Sequence, residues 1–185
     1  MNKNNLRNFR NSLERLDLSI VRWLARYSLP LLRMGMGIVF LWFGALKFFP
    51  NLSPATDLAV RTIDVLTFGL IPANASLILL ATVETAIGLG FLTGRYMRLT
   101  LGLLVFQMAG ALTPLALFPG EAFMYFPYAP TLEGQYIIKN LVLIGAGLVI
   151  GSTVRGGRIV AEPQEVPGQR SQLSAQPMQV HRYWR

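Results

Sequence analysis

Five polar side chains stand inside or at the edges of runs that are otherwise apolar: Lys47, Glu84, Gln107, Lys139 and Asn140. Glu84 interrupts LILLATVETAIGLGFL (77–92) and Gln107 interrupts LGLLVFQMAGAL (101–112). Lys47 closes one further apolar run, and Lys139-Asn140 opens another. An isolated charge in hydrocarbon is costly, and partners reduce that cost. Glu84 is therefore expected to be neutralised by Lys47, Lys139 or both. Two lysines against one glutamate leave a surplus positive charge, which suits an anion, a quinone carbonyl or a transferable proton. Two plainer arrangements use the same residues. The cluster can serve only to set helix register. Alternatively the lysines extend outward along their apolar stems, while a protonated Glu84 hydrogen-bonds Gln107 or Thr85.

Other chemistries are closed to this chain. It has no cysteine, so disulfides, thiol redox chemistry, iron–sulfur clusters and Cys-type zinc sites are excluded. The single histidine, His181, cannot hold a metal or haem alone, and no metal site is expected. No covalently bound cofactor is expected either; redox chemistry would need a diffusible carrier such as a quinone, or an oxidoreductase partner subunit.

The elements that must position these side chains follow from composition. Of 185 residues, 52% are hydrophobic and 14% charged, a balance suited to lipid rather than water. The net charge of +8 does not signal nucleic acid, because the basic residues collect beside apolar runs, as at an anionic membrane surface. Four segments approach the roughly 20 residues that cross a bilayer: 30–49, 73–93, 99–119 and 134–154. The first and last reach that length only when Lys47 and Lys139 are counted within them. The expected fold is all-α, an integral membrane four-helix bundle.

Lys and Arg crowd the N-terminal flank, the connection between the second and third spans (Arg95, Arg98), and the exit of the fourth (Arg155). Both termini are therefore expected on the cytoplasmic side. With Arg33, Arg95, Arg98 and Arg155 taken as boundary markers, helix rise sets the depth of each polar group. Lys47 comes to roughly 21 Å, Glu84 to roughly 16–17 Å, Gln107 to roughly 13–14 Å and Lys139 to roughly 24 Å. Glycines share the faces of the charged residues: Gly37 and Gly44 with Lys47, Gly88 with Glu84, Gly147 and Gly151 with Asn140. Gly90 and Gly94 repeat the four-residue spacing. Small residues there let backbones approach closely.

Outside the spans, Leu6, Phe9, Leu13, Leu16, Ile20, Trp23 and Tyr27 recur at steps of three and four among arginines. Residues 1–29 thus read as an amphipathic helix on the cytoplasmic leaflet, with a partner protein as the alternative docking surface. In the connection 50–72, Ser53-Pro54 can start a short helix on which Asp57, Arg61 and Asp64 share a face. The connection 114–133 is dense in aromatics and prolines, fit for an interfacial anchor or a lid, and Pro114 is expected to kink the third span. Residues 155–185 turn rich in Gln, Pro and Ser, a disordered tail by composition.

Three stretches resemble the DoxX-like membrane proteins, and the YkgB-type branch in particular: GIVFLWFGALKF (37–48), VETAIGLGFL (83–92) and GQYIIKNLVLIG (134–145). The positions that carry the pattern are Gly44, Lys47, Glu84, Gly88, Arg95, Lys139 and Asn140. YkgB-type sequences usually have Lys-Asp where this chain has Lys139-Asn140, so a second acid–base pair is not expected. The resemblance, over residues 30–153, implies a bacterial inner-membrane protein whose relatives include a subunit of thiosulfate:quinone oxidoreductase and proteins of oxidative stress. It implies no cofactor ligand. The functional expectation is a quinone-associated redox accessory protein. Alternatives are a small-anion carrier using the same cluster, and a membrane anchor for a soluble enzyme.

Overall fold

The computed structural model describes residues 3–49, 52–53 and 56–157, with side chains from residue 13 onward. Pro54, the side chains of Leu6 and Phe9, and the tail beyond Gly157 with His181 lie outside the described residues, so the readings made for them are not taken further. The helices are α1 (Lys3–Leu46), α2 (Thr56–Leu66), α3 (Ala73–Thr93), α4 (Met97–Leu112), α5 (Pro114–Leu117), α6 (Pro119–Ala122) and α7 (Leu132–Thr153). A short antiparallel hairpin, β1 (Phe123–Tyr125) with β2 (Ala129–Pro130), lies between α6 and α7. Four helices are long and apolar enough to cross a membrane: Leu13–Leu46, Ala73–Thr93, Met97–Leu117 and Leu132–Thr153.

The chain divides into two compact units, and the first 22 residues fall outside the one formed by Trp23–Ile159. In the former, every described side chain from Leu13 to Ile20 is exposed, charged and apolar alike. Within the latter, α1 passes through Pro30 without a break. The 29/30 boundary expected from composition is thus not marked by a change of secondary structure. Proline's fixed φ suits a helix, and the loss is confined to one backbone hydrogen bond and local crowding.

Local chemistry explains the other ends. α3 starts after Pro72 and stops at Gly94, whose φ of 68° places it in the left-handed region, with its N–H on the Gly90 carbonyl. Only Gly94–Tyr96 separate α3 from α4, which forces the two helices to be antiparallel neighbours. α4 ends at Thr113 because Pro114 has no N–H to continue the ladder; α5 resumes for one turn. Thr131 caps α7, its Oγ1 accepting the Gly134 N–H at 3.1 Å.

The core runs along the bundle axis: Met36 and Phe40 from α1, Ile87 and Phe91 from α3, Leu104 and Met108 from α4, Ile150 from α7. Outward-facing side chains such as Trp42, Phe43, Val105, Phe106, Val142 and Leu148 are exposed. In water such a surface would drive aggregation; in lipid it is the expected exterior. The small β-hairpin departs from the all-α expectation. It closes the connection between the third and fourth spans, where Pro127 and Pro130 interrupt helix formation.

Candidate functional site

The site is set by a close crossing of α1 on α3. Gly44 lies so near α3 that an added Cβ would stand 2.7 Å from the Thr85 nitrogen and 2.9 Å from Glu84 Cβ. Reciprocally, Gly88 faces the backbone of Leu41, and Gly37 faces Leu92. The pairs 37 with 92, 41 with 88 and 44 with 85 climb one helix in step with descent along the other, as an antiparallel contact requires. Along the expected stripe on α1, Gly37, Phe40 and Gly44 are buried, and Arg33 and Lys47 half-buried.

Lys47 follows the last residue of α1, in a tight turn with its N–H on the Gly44 carbonyl at 3.2 Å. Its Nζ donates to Glu84 Oε2 at 2.6 Å and to the Phe43 carbonyl at 3.3 Å. Gln107 Nε2 donates to Glu84 Oε1 at 3.2 Å. Gly90 against Thr100 sets the same antiparallel register between α3 and α4 that brings 84 opposite 107. Both carboxylate oxygens are therefore engaged, and the Lys47 and Glu84 side chains are each 12% exposed. Three helices are tied at one level by a lysine, a glutamate and a glutamine. The ammonium has three N–H donors and uses two; the Gln107 Oε1 accepts no hydrogen bond from a described residue. Beside the crossing, Thr85 Oγ1 is buried with no partner, so the alternative that paired it with Glu84 does not occur.

Lys139 does not join this cluster. Its side chain is exposed, with Nζ over the Tyr136 ring at 5.3 Å. Gly147 packs on Leu104 and Gly151 on Leu101, which places residue 144 of α7 level with Gln107. Lys139 lies five residues further along, roughly 7 Å away in depth, and on the outer face. The expected depth difference between Lys139 and Glu84 was of this size; the choice of face was what the sequence could not settle. Asn140 is half-buried and forms no hydrogen bond with Glu84. The surplus positive charge therefore disappears: the cluster is one ammonium, one carboxylate and one amide.

A second polar tie was missed. Arg61 on α2 pairs with Glu121 on α6, and its guanidinium lies over the Phe118 ring at 5.3 Å. The hydrogen bond to Glu121 holds the guanidinium protonated to higher pH than usual. Asp57 also attracts Arg61 along α2, but the hydrogen-bonded carboxylate partner, Glu121, is sixty residues away in sequence. No local spacing signals such a contact, which exists because α2 folds over the same end of the bundle as α6. Thr131 also reaches this cap, its Oγ1 donating to the Glu121 carbonyl at 2.6 Å.

The opposite end carries the arginines. Arg33 is half-buried, while Arg95, Arg98 and Arg155 are exposed. Two crevices open here. One, of about 330 Å³, is lined by Arg98, Leu101, Gly151, Ser152, Val154 and Arg155. The other, of about 200 Å³, is lined among others by Pro30, Arg33, Met97 and Val154. Neither is lined by Lys47, Glu84 or Gln107.

Neither a curated protein nor a solved structure matches the chain. Four apolar helices of spanning length support a multi-pass membrane protein in contact with lipid. The sequence model of the DoxX family matches residues 28–118, a stretch that contains Lys47, Glu84 and Gln107 but stops short of Lys139, and over that stretch the chain is similar to the DoxX family.

Proposed function

We propose that the chain is a quinone-associated accessory protein of redox or oxidative-stress metabolism in the bacterial cytoplasmic membrane, of the YkgB-type branch. Its termini are cytoplasmic, and the Lys47–Glu84–Gln107 cluster lies toward the outer half. One observation carries the reading: Lys47, largely buried and held by Glu84, uses two of its three N–H donors and keeps the third unspent. That donor set fits a neutral carbonyl better than an anion. A bound quinone supplies two-electron, two-proton chemistry. The chain's part is to donate a hydrogen bond from Lys47 Nζ to a carbonyl oxygen, with Glu84 fixing the ammonium and Gln107 fixing Glu84. Lys139 has no role in this arrangement, which weakens the small-anion carrier, since that reading needed its extra charge.

The test is extraction of quinone from protein purified out of native membranes, quantified by ultraviolet absorbance against co-purified phospholipid. Wild type and Lys139→Met are expected to retain quinone above the lipid background, and Lys47→Met to lose it. The double variant Lys47→Met/Glu84→Gln leaves no charge unpaired and distinguishes lost binding from lost folding. A quinone-to-lipid ratio equal in all four proteins overturns the reading.

A further inference from the structure

The arginine end of the Trp23–Ile159 unit has a charge pattern and a shape that the redox reading leaves unused. Arg98 opens α4 and Arg155 follows α7; the α4–α7 register, Leu101 on Gly151 and Leu104 on Gly147, brings them to the two sides of one crevice. The walls between them, Leu101, Gly151 and Val154, are apolar. Val154 also borders the neighbouring crevice that contains Arg33, whose Nε is buried without a partner. Among the described residues, Arg33, Arg98 and Arg155 form no ion pair; the carboxylates of this unit lie at the other end or beside Lys47. Three guanidinium groups from three helices thus border two adjoining crevices at one end of the unit, with no ion pair among the described residues.

We propose that the Arg98–Arg155 crevice at the α4–α7 seam is a binding site for an anionic phospholipid. The two guanidinium groups take the headgroup phosphate and one acyl chain lies over Gly151 between Leu101 and Val154. Guanidinium forks match phosphate oxygens with paired hydrogen bonds, and basic pockets between spanning helices recognise anionic headgroups. Gly151 makes the groove: its absent side chain leaves space up to Leu101, where a Cβ would meet only ordinary contact at 3.5 Å. A zwitterionic lipid brings a second positive charge and fits the arginines poorly. Free phosphate lacks the chain for the apolar wall.

The experiment measures thermal stabilisation and retained lipid by native mass spectrometry for the full chain in detergent. The titrants are phosphatidylglycerol, phosphatidylcholine and inorganic phosphate. Phosphatidylglycerol is expected to stabilise the wild type and to remain bound, while the other two do neither. In Arg98→Gln/Arg155→Gln the apparent affinity for phosphatidylglycerol is expected to fall about 30-fold, the loss for two basic groups at an anionic surface. Gly151→Leu keeps both charges, fills the groove and is expected to abolish retention. Arg95→Gln, outside both crevices, is expected to bind as wild type. Equal affinity in the double-arginine variant and Arg95→Gln overturns the site, and so does stabilisation by inorganic phosphate matching that by phosphatidylglycerol. Undiminished retention in Gly151→Leu overturns the placement of the chain.

Discussion

Removing the ammonium of Lys47 and removing the charge of Glu84 are expected to have unequal consequences. At the observed 2.6 Å, and with an effective dielectric constant of about 20, the pair gains about 6 kcal/mol of attraction. Desolvating the two ions costs several kcal/mol each, so the intact pair nets little. Breaking it is another matter. In Lys47→Met, Glu84 keeps only the Gln107 hydrogen bond for a carboxylate enclosed by three helices, and the expected loss is about 3 kcal/mol. In Glu84→Gln the amide oxygen still accepts a hydrogen bond, and Lys47, at the end of α1, can extend toward the interface; the expected loss is about 1 kcal/mol. The double variant, with no unpaired ion, is expected near the milder single one, which makes the coupling about 3 kcal/mol. Reversible unfolding in mixed micelles, followed by far-ultraviolet circular dichroism, measures all four corners of the cycle. Lys139→Met provides the control and is expected to unfold as wild type. Additive losses, or a Lys139→Met penalty as large as that of Lys47→Met, would show that the ammonium holding Glu84 has been misidentified.

Two further outcomes follow from packing and topology. Gly44→Leu is expected to destabilise by about 3 kcal/mol or to prevent a monodisperse fold, because a Cβ there would lie 2.7 Å from the Thr85 backbone. Gly102→Leu, with nothing within 4 Å, is expected to be neutral by the same unfolding measurement. The cysteine-free chain also permits clean topology mapping. Tyr128 in the hairpin connection and Tyr96 between α3 and α4 are 79% and 82% exposed. Tyr128→Cys is expected to react with an impermeant maleimide in intact cells, and Tyr96→Cys only after permeabilisation; the reverse pattern would overturn the proposed orientation.

The sequence by itself determined the number of long apolar helices, their order and most of their limits. These are properties of local composition: runs near 20 residues, bounded by Gly94, Pro72 and Pro114, demand helices because lipid offers the backbone no other partner. It also determined that Lys47, Glu84 and Gln107 can meet, since helix rise fixes depth and the glycine stripes fix the contacting faces of α1 and α3. Only the tertiary structure decided which polar groups share a face across helices. Rotation of α7 by part of a turn separates a Lys139 that reaches Glu84 from one that lies over Tyr136 in the outer layer, and apolar residues surround that helix nearly evenly, so its pattern specifies no rotation. The Arg61–Glu121 tie and the Arg98–Arg155 crevice were hidden for a related reason. Each depends on the register of elements far apart in sequence, which is set by side-chain interlocking such as Leu104 on Gly147 rather than by any local period.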